Sequence, residues 1–178
     1  MADHQELYCT CGTTRIAVVG APISSVECGC QSCQTAGQAF ADLPGAPHVL
    51  TSYRTTPFIM YRKDRVRFLN GAEHLHAYRL SLRASTKRVV ATCCNTPLYL
   101  EFKGGHWLSL YATLWPVDAR PAPKLRTMTI DLPPDIGLPQ DVPNARKQNL
   151  RFFAQLFRAW VAMGFRVPKM PQADESLF

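Results

Sequence analysis

Three cysteines fall within six residues in Cys28-Gly29-Cys30-Gln31-Ser32-Cys33, at the spacing C-x-C-x-x-C. Links this short let one backbone loop wrap its thiols round a single metal ion. Zinc suits such a site because it favours thiolate sulfur and tetrahedral geometry and has no redox chemistry of its own. Three protein ligands leave one tetrahedral corner open, the arrangement of a reactive site, whereas a closed structural site needs a fourth ligand from elsewhere. The other four cysteines are Cys9 and Cys11, spaced C-x-C beside Gly12, and the adjacent Cys93 and Cys94. Two thiols do not hold zinc, so Cys9 and Cys11 draw their partners from Cys93 and Cys94. This parse of four plus three accounts for all seven cysteines and for two zinc ions per chain. In a rival parse Cys93 closes the trio, which leaves Cys9, Cys11 and Cys94 one ligand short.

An open zinc with three thiolates carries a formal charge of about −1. It is a weak Lewis acid and a poor activator of water. It can hold an added thiol as thiolate at neutral pH, because coordination lowers a thiol's pKa. Carbon–sulfur chemistry follows, with a thiol adding to or leaving a small carbonyl compound. The net charge of +7 fits an anionic thiol such as glutathione.

The elements that must position these residues are mostly strands. The β-branched and apolar runs at 14–19, 25–27, 49–53, 58–61, 66–69, 75–82, 87–92, 98–102 and 107–113 read as strands, the last two as a hairpin across Gly104-Gly105. Residues 33–40 read as a loop or one helical turn, and 93–97 as a turn. Seven of the 14 prolines lie between Pro116 and Pro143, an extended segment that crosses a surface. A helix is then expected over 145–163, capped by Asn144 and ended by Gly164. Leu150, Phe153, Phe157, Trp160 and Val161 form its first apolar stripe, with Phe152, Leu156 and Met163 beside it. So wide a sector predicts packing on the chain's own sheets or on a second copy in a homodimer.

The ordered motifs Cys9-Thr10-Cys11-Gly12, Cys28 to Cys33, Arg67-Phe68-Leu69-Asn70-Gly71-Ala72-Glu73 and Cys94-Asn95-Thr96-Pro97-Leu98 resemble the glutathione-dependent formaldehyde-activating enzymes over roughly residues 7–103. The resemblance implies a mainly β fold, the Mss4-like β-tent of small antiparallel sheets. It implies a structural zinc on the first C-x-C pair and the late cysteines, and a catalytic zinc on the middle trio. Cys9, Cys11 and Cys94 match structural positions, and Cys28, Cys30 and Cys33 catalytic ones. The late motif departs from the family's C-x-x-C-G-T-P, reading Ala91-Thr92-Cys93-Cys94-Asn95-Thr96-Pro97. Adjacent strand residues point to opposite faces, so Cys93 and Cys94 reach one ion only if the chain turns sharply there.

Residues 1–115 are thus expected to form the zinc-binding β domain, and 116–178 a proline-rich segment and helix packed on it. The function expected is that of a zinc-dependent carbon–sulfur lyase acting on thiol adducts of a small carbonyl compound such as formaldehyde. The alternative is a non-catalytic binding module with both zincs structural. No apolar run is long enough to span a bilayer. The polar start, Met1 to Glu6, does not read as a signal peptide, and free cysteines fit the reducing cytoplasm. His74 and His76 read as solvated, and His106 has no assigned role. Arg146, Lys147, Arg151, Arg158 and Arg166 read as a solvated strip and not as a nucleic-acid surface, since the aromatics do not interleave with them.

Overall fold

The computed structural model describes residues 4–178. The fold is mainly β, with 11 strands in two sheets and two α-helices among the described residues. The small sheet is antiparallel and consists of β1 (His4–Tyr8), β2 (Arg15–Val19) and β5 (Val66–Asn70), in the order β1-β2-β5. The large sheet holds β3 (Ser24–Cys28), β4 (Thr56–Arg62), β6 (Leu75–Arg79), β7 (Thr86–Ala91), β8 (Thr96–Phe102), β9 (Trp107–Tyr111), β10 (Leu125–Thr127) and β11 (Asp174–Leu177). Its order is β10-β3-β4-β9-β8-β7-β6-β11. The inner pairs are antiparallel, and each edge strand, β10 on β3 and β11 on β6, lies parallel to its neighbour.

Strand alternation gives the large sheet two buried faces. Ile59, Tyr61, Val89, Ala91, Leu108 and Leu110 point towards the small sheet and meet Leu7, Ile16 and Val18. Phe58, Met60, Val90, Leu100 and Tyr111 point the other way, where they pack against the helices α1 (Gln31–Ala41) and α2 (Leu150–Val161). Cys9 and Cys94 belong to the first core, and Cys28, Cys30 and Cys33 to the second. The two cysteine groups therefore lie on opposite faces of one sheet.

Four local expectations are corrected. Residues 33–40 are not a loop, because α1 runs for 11 residues with Cys33, Ala36, Gly37 and Phe40 on its buried side. A Cβ at Gly37 would sit 2.5 Å from Leu50, so the glycine permits close packing. Residues 49–53 are not a strand. Thr51 instead closes a turn onto Thr55, with Arg54 in the left-handed region. The final helix begins at Leu150 and is capped by Asn149, whose side chain accepts from the Phe152 amide at 2.9 Å. Residues 143–146 are unavailable to it because they exchange backbone hydrogen bonds with Arg126, Thr129 and Ile130.

The fourth correction concerns the faces of α2. Phe152, Leu156, Ala159 and Met163 are buried, and His106 Nε2 donates to the Leu156 carbonyl at 2.8 Å. Of the first stripe, also expected to pack, Leu150, Phe153, Phe157 and Val161 are exposed and Trp160 is half-buried. The helix ends at Val161 with Ala162 as its C-cap, before the expected stop, and Gly164, in the left-handed region, lies in the turn that follows. No helix among the described residues is long and apolar enough to cross a membrane.

Candidate metal centres

The first group joins the turn after β1 to the turn between β7 and β8. The sulfurs of Cys9, Cys11, Cys93 and Cys94 all lie within 4.8 Å of one another. Cys9 is 3.5 Å from Cys11 and 3.8 Å from Cys93, Cys11 is 3.4 Å from Cys93, and Cys93 is 3.9 Å from Cys94. A tetrahedron with metal–sulfur bonds of about 2.3 Å has edges of about 3.8 Å, so four thiolates at these spacings fit one tetrahedral metal ion. Gly12, at φ +78°, turns the first arm and donates its amide to the Cys9 carbonyl at 2.9 Å. Asn95, at φ +56°, turns the second. That turn brings the adjacent Cys93 and Cys94 to one point, and Ala91 is left as a buried core residue. It also places Cys93 with Cys9 and Cys11, which excludes the parse in which Cys93 closes the trio.

Threonines surround this group. The Thr14 amide lies 3.2 Å from Cys9 Sγ, and the Thr96 hydroxyl lies 3.0 Å from Cys94 Sγ. Burial works against ionisation of Cys94, but hydrogen bonds from Thr10 and Thr96 together outweigh it and hold this thiol at about 5. Burial, with hydrogen bonding to Cys11, pushes Cys93 up to about 12. A metal needs all four as thiolates, so its binding here would release the protons that remain.

The second group is the trio. Cys28 closes β3, Cys30 is the N-cap residue of α1, and Cys33 lies in its first turn, with its amide bonded to the Cys30 carbonyl at 2.9 Å. The three sulfurs lie within 4.8 Å of one another. A helix N-terminus favours thiolate. Hydrogen bonds from Cys28 and then Cys33 hold Cys30 far below the usual thiol range, while the bond to Cys30 pushes Cys28 up to about 12, and the bond to Cys28, then that to Cys30, pushes Cys33 up. Among the described residues no fourth cysteine, histidine or carboxylate joins this group.

The proline-rich segment supports the trio. Thr127 of β10 pairs with Cys28, the Thr127 carbonyl accepts from the Gly29 amide at 2.9 Å, and an Asp131 carboxylate oxygen accepts from the Gln31 amide at 3.1 Å at the start of α1. Gln34 donates to the carbonyls of Gly29 and Asp131. Buried Arg126 pairs with Glu27 at 2.8 Å and Asp141 at 2.7 Å, fixing β10 against β3 just before Cys28.

The trio opens on a cavity of about 470 Å³ whose apolar walls include Val26, Phe58, Met60, Leu100, Trp107 and Leu156. Sequence reasoning did not find this cavity, nor Asp131, Ser32 or Arg88 as neighbours of the trio. The Ser32 hydroxyl is 3.3 Å from Cys30 Sγ, and Arg88, almost wholly buried, donates to Ser32. Their only sequence signals were weak: a serine inside the metal loop, and one arginine within an apolar strand. His74 and His76 stand apart from both cysteine groups.

No family profile matches the chain, and no curated protein matches it. A crystal structure of a Rhodobacter sphaeroides protein, a structural-genomics target, is similar over 79% of this chain and 99% of its own, at a TM-score of 0.46 and 15% identity. A likeness that distant carries no inference about function.

Proposed function

We propose that both cysteine groups hold zinc, structural at Cys9, Cys11, Cys93 and Cys94 and catalytic at Cys28, Cys30 and Cys33, and that the protein is a carbon–sulfur lyase acting on thiol adducts of a small carbonyl compound. The observation that carries the reading is the contrast between the groups. One offers four sulfurs at tetrahedral spacing, and the other offers three at the edge of a cavity. Zinc at the trio would supply one open coordination position at which an added thiol is held as thiolate. The chain's own residues do the rest. Ser32 hydrogen-bonds Cys30, Asp131 holds the start of α1, and the apolar walls limit water around the reacting sulfur. The resemblance to the glutathione-dependent formaldehyde-activating enzymes supports the same assignment.

A second reading, a zinc-stabilised binding module, draws on the exposed Leu150, Phe153, Phe157 and Val161 of α2. Cobalt substitution separates the two. The lyase reading expects two metal ions per chain and a visible spectrum that changes when 2-mercaptoethanol is added. Two metals with a spectrum indifferent to thiols would favour the binding module, and fewer than two would defeat the metal assignment.

A further inference from the structure

Resting on the open metal position argued above, we infer that the trio's cavity selects an uncharged thiol with an apolar, aryl- or alkyl-sized body, and that glutathione is not its preferred partner. The net charge of +7 pointed to an anionic thiol, but none of that charge lines the cavity. Beyond the three cysteines, its lining is apolar apart from Ser32, Thr86, Ser109, Thr127 and Gln148. No lysine, arginine or histidine among the described residues is there to meet a carboxylate, and an anionic tris-thiolate metal site adds repulsion. A carboxylate moved into such walls loses hydration and gains no partner.

Size calls for a thiol with a sizeable body. A volume of about 470 Å³ lies in the range of pockets that enclose a ligand of many heavy atoms. A small carbonyl compound alone would leave most of it empty.

The test uses the full chain loaded with cobalt and three thiols: benzyl mercaptan, 2-mercaptoethanol and glutathione. Benzyl mercaptan should change the spectrum at a concentration at least about tenfold lower than 2-mercaptoethanol, because its ring leaves water for the cavity. Glutathione should do no better than 2-mercaptoethanol. Equal binding by all three, or tightest binding by glutathione, overturns the inference and leaves the open metal position standing. No response to any thiol sinks the open position itself. The cavity is then judged without the metal, by fluorescence of the uncharged probe N-phenyl-1-naphthylamine. The probe should bind the wild-type chain, be displaced by benzyl mercaptan, and be lost in a folded Ser109→Phe variant. Failure of the wild-type chain to bind it overturns the inference whatever the metal does.

Discussion

Arg88 Nη2 lies 3.1 Å from the Ser32 carbonyl oxygen and 3.4 Å from the Ser32 hydroxyl, and that hydroxyl is 3.3 Å from Cys30 Sγ. A guanidinium only donates. The Ser32 oxygen therefore accepts from Arg88 and turns its own proton towards the Cys30 sulfur. Arg88 is 1% exposed, and its Nε and Nη1 have no hydrogen-bond partner among the described residues. A buried cation is costly unless a negative charge lies close by. The trio supplies that charge: Cys30 is its ionised member without metal, and a divalent metal with three thiolates also has a formal charge of about −1.

Arg88→Met is therefore expected to weaken metal binding at the trio by about 10- to 100-fold, the usual effect of losing an outer-shell partner, and to leave the four-cysteine group unchanged. Chelator competition, followed by cobalt spectra at the two groups, reads the difference. Equal weakening at both would show a general loss of structure and not compensation of charge.

The two groups should also respond differently to loss of one ligand. Cys11→Ser removes a link between the turn after β1 and the β7–β8 turn, so the chain should unfold or aggregate, because a structural metal contributes folding energy directly. Cys30→Ser lies in a loop already held by β10, Asp131 and Gln34. It should abolish thiol binding with only a modest fall in Tm. Equal and severe destabilisation by both would favour two structural metals.

The sequence disclosed the two cysteine groups well because cysteine carries chemistry in its own type and spacing. It disclosed most central strands because β-branched runs between turn residues have few other uses. It hid β10 and β11, short edge strands whose pairing is non-local, and α1, whose small and polar residues read as a loop until Gly37 is seen packed against Leu50. It could not rank the two stripes of α2, since both are apolar and tertiary contacts alone choose Phe152 and Leu156. Arg88 was invisible for a related reason. Beside Lys87 in a strand it reads as solvated, and only the pairing of β7 within the large sheet buries it.

His106, without a role from sequence, joins β9 to α2. Its Nε2 donates to Leu156 at 2.8 Å and its ring stacks on Trp160 at 5.6 Å. Burial, with Lys63 nearby, lowers its pKa below the usual 6.5. The folded chain then takes up this proton only at a lower pH than the unfolded chain does. The stabilisation is complete above the unfolded pKa, falls as pH drops through it, and levels off below the folded pKa. Tm measured from about pH 7 to about pH 5 should fall more steeply for the wild type than for His106→Gln, which keeps a donor for Leu156. Metal loss on acidification affects both chains, so the difference between them isolates His106. Parallel curves would refute the assignment.

The last expectation concerns the two faces of α2. Leu156 is 6% exposed and packs on the cavity side of the large sheet, whereas Leu150 is 88% and Phe157 57% exposed. Leu156→Ala should cost about 2–5 kcal/mol, the range for emptying a core site of this size. Leu150→Asp with Phe157→Asp should change Tm much less, because Leu150 is exposed and Phe157 gives up only partial burial beside Phe165. Solution mass supplies an independent reading of the same double variant. A second copy seated on this face would make the wild type heavier than one chain and reduce the variant to a monomer. A double variant that unfolds while Leu156→Ala is tolerated would mean that the helix packs through its other stripe, and the assignment of faces would be wrong.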